Sequence, residues 1–509
     1  MALEWRFVSE ESCYVAEGIA YCAHPQAPAL QQLKIFVPAA YLDGDGAASA
    51  AGALTTVNGA RYTAATVPVI FYNDIGGYAE CEPAGLKARN HRYLKDGYVL
   101  VSVGARGRQS RGEDGGAVGK APAALVDLKA AVRWVRAHAD ELPAGDVDHI
   151  VSVGTSAGGA MSALLALSGD CPAFEADLAE MGAAQGVSDA VWAAQCYCPI
   201  TDLEHADLAY EWMFGAKAIC TMKPQTAPVV LDDFQRQLSA NLAQAYVAYV
   251  NGLGLDVALG HDGRSGSFYT ELMAALSDSL NEFLARSAST DEGRRALAAE
   301  LDGGSGAIAW VDGRARIEDL DAYVRTCIGR KKACPAFDPF NGMSPENQEF
   351  GCAGAAAGSA DDRLHFSPAT GAGIHEVADA GAGSDHEALA AVYARDLEMP
   401  GQAEKIALIN PFSYLGRGAG AEAPKRFAST KPEHMRIRLG SLDADSSFAV
   451  SFSLYQAIKQ QGIDVDYGLV WGLGHTDADV PGAFSAWVDG LMAAEHAAAE
   501  AADSGNAAA

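Results

Sequence analysis

Short apolar runs alternate with amphipathic stretches over the first part of the chain. Leu33 to Val37 form an apolar run that leads into a Pro-Ala-Ala turn. Thr66 to Tyr72 (TVPVIFY) ends at Asn73-Asp74, which reads as a buried strand followed by a loop. Gly97 to Val103 (GYVLVSV) is a second such run and ends in a Gly- and Arg-rich stretch, Gly104 to Gly116. Leu125, Leu128, Val132 and Val135 recur at three- and four-residue spacing, so a helix is predicted there. His149 to Val153 (HIVSV) is the next strand, and a helix of small residues follows from Ala157 towards Leu167. This rhythm predicts an α/β protein: a mostly parallel sheet with helices on both faces.

The rhythm then breaks. From about Glu204 to about Met399 the pattern is mainly helical with long loops, with helices expected over Asn241 to Tyr249 and Glu271 to Phe283. Gly351 to Gly383 is rich in Gly, Ala, Ser and Asp and reads as irregular. Met435 to Leu439 and Val465 to Trp471 restore the strands, with a helix over Ser446 to Gln460 between them. A last helix is expected from Ala483 to Ala493, and the Ala-rich tail after Ala497 is expected to fray. The simplest organisation is one domain in two segments, 1–203 and 404–497. A mainly helical lid, 204–403, is inserted between them, and a tail covers 498–509. No internal repeat of fixed period interrupts this reading.

Composition narrows the function. The 509 residues are 49% hydrophobic and 20% charged, as expected of a folded enzyme. A net charge of -28 repels phosphate backbones and anionic lipid, so no nucleic-acid or membrane partner is expected. The N-terminus lacks a basic start followed by an apolar run, and no stretch is apolar enough to span a bilayer. The ten cysteines are scattered, without a paired C-x-x-C, so they are expected to be reduced and mostly buried. Cys196 and Cys198 read as strand residues on one face. Cytoplasm is the default location, and no metal or cofactor is called for.

The chemistry concentrates at Gly154-Thr155-Ser156-Ala157-Gly158. A strand precedes it and a helix follows, the context that a G-x-S-x-G elbow requires. Small flanking residues permit the tight turn, and the helix N-terminus favours developing negative charge. A serine hydroxyl needs a base, and the base needs an orienting carboxylate. In this fold class the acid and then the histidine follow late strands. Asp443 comes after strand MRIRL, with Asp445 as its competitor, and His475 follows VDYGLVW and the loop Gly472-Leu473-Gly474. His205 falls in an expected helix and reads as structural or lid-facing. An oxyanion requires two donors. Ala157 N–H is one; Gly77, or its neighbour Gly76, supplies the other from the loop after TVPVIFY.

These residues resemble the bacterial tannases, or tannin acyl hydrolases. The resemblance runs through KIFVPAAYL (34–42), IGGY (75–78), GYVLVSVGARGR (97–108), APAALVDLKAAVRW (121–134) and GTSAGGAMSAL (154–164). It continues in YCPITDLEHADLAYEW (197–212), KACPAFDPFNGMSPENQEFG (332–351), INPFSYL (409–415) and RIRLGSLDADSSFA (436–449). It is weak from about Met222 to Ile328 and in the Ala/Gly-rich part after Gly351. The resemblance implies an α/β-hydrolase fold with a large lid and a triad of Ser156, Asp443 and His475. It also implies that Lys332, Glu346 and Asp445 bind the three hydroxyls of a galloyl ester, with the neighbouring Lys331 as the alternative to Lys332. Carboxylates accept from phenols and an ammonium donates to their oxygens. Ile200 and Pro345 are candidates for the apolar walls.

The expected partner is thus a small galloyl ester, cleaved without a cofactor. A feruloyl esterase or general carboxylesterase would share the triad but tolerate rings lacking three hydroxyls. Comparing methyl gallate, methyl ferulate and methyl benzoate separates them. A catalytically silent binding protein is disfavoured by the intact triad, and a peptidase has no use for the phenol-binding set.

Overall fold

The computed structural model describes residues 3–43, 47–49, 51–87, 89–221, 227–379, 384–416 and 422–506. Its centre is a nine-stranded sheet. In chain order the strands are β1 (Arg6–Val8), β2 (Cys13–Ala20), β3 (Gln32–Pro38), β4 (Pro68–Asn73) and β5 (Val99–Val103). They continue with β6 (Asp146–Thr155), β7 (Ala193–Tyr197), β8 (His434–Gly440) and β9 (Asp464–Val470). The spatial order is β1-β2-β3-β5-β4-β6-β7-β8-β9. From β5 to β9 all neighbours pair in parallel, whereas β1, β2 and β3 add an antiparallel flank. Every residue of β4, β5 and β7 is buried, which is why these strands read as continuous apolar runs.

Helices cover both faces, as the fold class anticipates. The first two named here are α1 (Ala123–Ala137) and α2 (Ala157–Leu167). All eleven residues of α2 are buried, so its small side chains pack on every side rather than along one stripe. Between β7 and β8 the chain leaves the sheet for α3 (Leu203–Phe214), α4 (Asp233–Gly252), α5 (Ser267–Ser287), α6 (Pro345–Glu349), α7 (Pro368–Asp379) and α8 (Ser384–Leu397). Two small antiparallel ribbons, Ile219–Cys220 with Val229–Val230 and Ile308–Val311 with Arg314–Ile317, accompany them. The chain returns through β8, α9 (Phe448–Gln460), β9 and α10 (Ala483–Asn506).

Four local expectations differ from the structure. The stretch expected to be irregular after Gly351 contains α7; Pro368 starts that helix, where its missing N–H costs nothing, and alanines continue it. Residues 380–383 of that stretch lie outside the described residues. The final helix does not end at Ala493 with a frayed tail but extends to Asn506, because Ala and Glu are strong helix formers. Residues 507–509 lie outside the described residues. The edge strands β1 and β2 were not anticipated, since their exposed positions interrupt the apolar signal. Cys196 is in β7, but Cys198 lies beyond it with φ +43°, so the two cysteines do not share a strand.

No described helix is long and apolar enough to cross a membrane. The ten cysteines are free, and seven of them are buried.

Candidate active site

The functional side chains gather where the parallel strands end. Thr155, the last residue of β6, pairs with Tyr197, and Gly440, the last of β8, pairs with Val470. The loops after β4, β6, β7, β8 and β9 therefore meet at one sheet edge, the usual place for chemistry in open α/β sheets.

Ser156 sits on the turn from β6 into α2 with φ +62° and ψ -122°. A residue with a side chain is held there only when its surroundings over-determine it. Ser156 N–H donates to Tyr197 O at 2.9 Å and Gly158 N–H to Ile75 O at 2.9 Å. Asn73 adds a brace, donating to Val153 O at 3.2 Å and to Ser162 Oγ at 3.0 Å. The packing is tight enough to demand glycine on both sides. A Cβ at Gly154 would lie 2.3 Å from Gly158 O, and one at Gly158 2.5 Å from Asn73 Oδ1.

His475 Nε2 faces Ser156 Oγ at 2.7 Å, and its Nδ1 faces Asp443 Oδ2 at 2.8 Å. A carboxylate only accepts, so Nδ1 donates to Asp443 and the neutral ring presents Nε2 as acceptor for the serine hydroxyl. Asp443 is fully buried, and its Oδ1 accepts from the N–H of Asp445 at 2.8 Å and of Ser446 at 3.4 Å. The acid and histidine loops are in direct contact: a Cβ at Gly440 would meet the carbonyls of Leu473 and Gly474 at 2.2 Å. Beyond His475, Asp477 bonds Thr155, while Asp479 pairs with Arg436 at 2.9 Å and accepts from Tyr197 at 2.8 Å.

The loop after β4 supplies open donors. Gly77 and Tyr78 both have positive φ, +53° and +57°. Arg108 Nε donates to Gly77 O at 2.8 Å, and its N–H to Tyr78 O at 2.8 Å. The carbonyls are thereby turned towards Arg108, and among the described residues no backbone acceptor takes up the N–H of Gly77 or Ala157. Gly76 instead uses its carbonyl, accepting from Ala79 N–H at 3.0 Å.

The intervening segment brings a second set of charges to this edge. Lys331 Nζ contacts both Asp445 oxygens at 2.6 Å. Burial pushes the Asp445 carboxyl up, but Lys331, His475 and Lys332 outweigh it and hold it below the usual carboxylate range. Lys332 points elsewhere: its Nζ lies 3.6 Å from the Phe337 ring centroid, in the field of Glu346, Asp445, Asp207 and Asp443. Burial pulls the Lys332 ammonium below its ordinary range and pushes the buried Glu346 carboxyl above its own, each partly offset by the other. Pro345, beside Glu346, approaches to 3.8 Å of where a Gly77 Cβ would be. Ile200 is buried, and its carbonyl accepts from Tyr78 Oη at 2.8 Å. The sequence-selected residues thus converge. His205 does not; it bonds Asp202 at 2.8 Å and stacks on Tyr249 with centroids 3.8 Å apart.

Known proteins resemble this chain along its whole length. Tannin acyl hydrolase from Lactobacillus plantarum is 31% identical with a TM-score of 0.76, the alignment covering 96% of this chain and 97% of that one. Another structure of such a hydrolase, solved in complex with ethyl gallate, gives the same values. Fusobacterium nucleatum tannase is 27% identical with a TM-score of 0.75, over 96% and 97%. This chain belongs to the tannase family. A family profile described as BD-FAE also matches residues 61–219. The esterase LipQ of Mycobacterium tuberculosis is 37% identical over 92 residues, which are 18% of this chain and 20% of that esterase. The tannase-family chain is a carboxylic ester hydrolase with an α/β-hydrolase fold.

Several residues of this tannase-family site escaped the sequence. Two buried aspartates organise the segment that carries Lys332 and Glu346. Asp207 accepts from the N–H of Ala336 at 2.8 Å and of Phe337 at 2.7 Å, and from Thr370 Oγ1 at 2.9 Å. Burial and the Asp338 charge push its carboxyl up to about 7. Asp338 accepts from Asn347 Nδ2 at 2.7 Å, His365 Nδ1 at 2.6 Å and two backbone N–H groups at 3.0 Å. Asn347 in turn caps α6 through Ser344. Tyr210 Oη accepts from Lys332 N–H at 3.0 Å and donates to Ala444 O at 3.1 Å, joining insertion to acid loop. Lys120 Nζ donates to the carbonyls of Arg108, Gln348 and Asp362 at 2.8–2.9 Å. One part of this scaffold has a local signal: Ser344, three residues before Asn347, has the spacing of a helix N-cap.

Proposed function

We propose that this esterase hydrolyses galloyl esters through a Ser156-His475-Asp443 triad. His475 takes the Ser156 proton as the oxygen attacks the ester carbonyl. The oxyanion is received by the N–H groups of Ala157 and Gly77. His475 returns the proton to the leaving alcohol, and water releases gallate from the acyl-enzyme by the reverse sequence. Lys332, Glu346 and Asp445 bind the galloyl hydroxyls, and Ile200 and Pro345 wall the slot. Lys331 is the partner of Asp445 rather than a ring ligand, because its ammonium is already committed to both carboxylate oxygens.

What supports this reading is buried charge next to the triad acid: Lys332 lies in the field of Glu346, Asp445 and Asp443. Lys332 and Glu346 are desolvated together, so a ligand with adjacent hydroxyls gains by completing their hydrogen bonds. A ring without those hydroxyls leaves the charges unpaired, and discrimination against it reaches about 10³-fold or more. The test is kcat/KM on methyl gallate, methyl ferulate and methyl benzoate. Strong preference for methyl gallate is expected; equal values on all three would move the assignment to a general carboxylesterase.

A further inference from the structure

A thiol stands behind the Asp443–His475 pair. Cys198 follows β7 in the left-handed region, φ +43°, and its N–H donates to Arg438 O at 2.7 Å. The residue is fully buried. Its Sγ donates to the carbonyl of Thr476 at 3.2 Å, one residue past His475. The sulfur, a carboxylate oxygen of Asp443 and a ring nitrogen of His475 all lie within 4.8 Å of one another. Asp443 and Cys198 are buried, and His475 is the partly open member through which the group meets the cleft.

One sulfur, one imidazole nitrogen and one carboxylate oxygen make a donor set suited to Zn²⁺ and Cd²⁺ and unsuited to Mg²⁺, which takes oxygen alone. Donors sharing such an ion sit roughly 3–4 Å apart, so small side-chain rotations seat it. A second group of this kind, Asp202 with Glu204 and His205, differs. It contains no sulfur donor, so nothing in it favours a thiophilic cation.

We infer that Cys198, Asp443 and His475 form an inhibitory site for a thiophilic divalent cation of the Zn²⁺ and Cd²⁺ class. The inhibitory half of this rests on His475 acting as the base for Ser156. The cation bonds the Cys198 sulfur, an Asp443 oxygen and His475 Nδ1. The thiol proton leaves to water, and the imidazole proton moves from Nδ1 to Nε2. No electrons are exchanged. With Nε2 protonated, the ring donates towards Ser156 Oγ and no longer accepts its proton, so acylation stops while the ring-binding slot stays free.

The experiment titrates CdCl₂ and ZnCl₂ into the full-length enzyme, with MgCl₂ as the oxygen-seeking control. Ester hydrolysis is expected to fall with Cd²⁺ and Zn²⁺, to recover with EDTA and to ignore Mg²⁺. Cys198→Ala is expected to retain activity and to need about tenfold more Cd²⁺, or beyond, for half-inhibition. Equal sensitivity of Cys198→Ala and the parent would overturn the site. Binding is read separately in the inactive Ser156→Ala protein through the ultraviolet Cd–thiolate band. The partly exposed Cys81, Cys327 and Cys352 are present in every sample, so the difference spectrum against Ser156→Ala with Cys198→Ser isolates this sulfur. Absence of that difference band sinks the proposal. A difference band together with a parent enzyme that has no esterase activity would overturn the catalytic reading and the inhibition, and leave the cation site standing.

Discussion

The two halves of the site are held by different means. Ser156, Asp443 and His475 stand on the loops that follow β6, β8 and β9, and backbone hydrogen bonds and glycine-tight turns fix them. Lys331, Lys332 and Glu346 stand on an excursion of the chain, and buried polar side chains fix them: Asp207, Asp338, Asn347, Tyr210 and the Arg330–Glu211 pair at 2.6 Å with both partners fully buried. On the proposed reading the first half is general machinery and the second is a selectivity device, and the scaffold of the second is scattered through the sequence. Chemistry and recognition should therefore separate under mutation.

The largest effect is expected at the first half. Ser156→Ala should lower kcat by about 10⁵-fold or more on every ester while the thermal transition stays near that of the parent. Retained turnover would remove Ser156 from the reaction. Asp443→Asn should cost about 10⁴-fold in kcat, since an amide no longer fixes the imidazole tautomer. Both losses should be equal for methyl gallate and methyl benzoate, because neither residue touches the ring.

The second half should behave oppositely. Glu346→Gln and Lys332→Met are each expected to cost about 10²-fold or more in kcat/KM on methyl gallate and little on methyl benzoate, measured side by side. Parallel losses on both substrates would erase the distinction between the halves. Lys331→Met should weaken methyl gallate less, because it frees Asp445 rather than removing a ring ligand.

The smallest effect concerns stability. Glu349 lies on α6 one turn after Glu346; it is buried, and neither carboxylate oxygen has a hydrogen-bond partner among the described residues. Burial pushes its carboxyl up to about 8, against a pull downwards from Lys120, Arg108 and Lys405. Its folded value lies above the unfolded one, so the stability it contributes is full below about 4.5 and is lost as pH rises through about 8. In Glu349→Gln that loss disappears. The Tm of the variant relative to the parent should rise between pH 5 and pH 8.5, by about 2–4 °C. A constant difference across that range would contradict the buried-acid reading.

How much of this was legible depended on where the causes lie along the chain. β4, β5 and the buried half of β6, Ile150 to Gly154, announced themselves because burial on both faces makes continuous apolar runs, and the elbow because its glycines and serine are adjacent. Asp443 and His475 followed from their places after β8 and β9. β1 and β2 were invisible because β1 has no buried position and β2 mixes exposed and buried positions without clean alternation. Glu346 and Lys332 carried no local signal at all, since a charged pair on a surface helix looks the same as one in a cleft; only the family resemblance singled them out. Asp207 and Asp338 were missed for a related reason. Their role is to accept N–H groups from segments more than a hundred residues away in one case and about thirty in the other, and no local pattern encodes that. Cys198 was misplaced because alternation continues one step past the end of β7, where the backbone turns left-handed.

Lys120 binds three carbonyls that belong to the strand-edge loop, to α6 and to the turn at Asp362, and Arg108 next to it holds Gly77 while reaching Gln348. The segment between β7 and β8 and the loop proposed to receive the oxyanion are thus riveted together through one buried ammonium. A shortened enzyme lacking residues 204–403 would keep Ser156 yet leave the buried Lys120 ammonium with one of its three carbonyl acceptors, Arg108 O, and the loop at Gly77 would lose its brace. Simplification by deletion should therefore abolish turnover on methyl benzoate as well as the preference for methyl gallate.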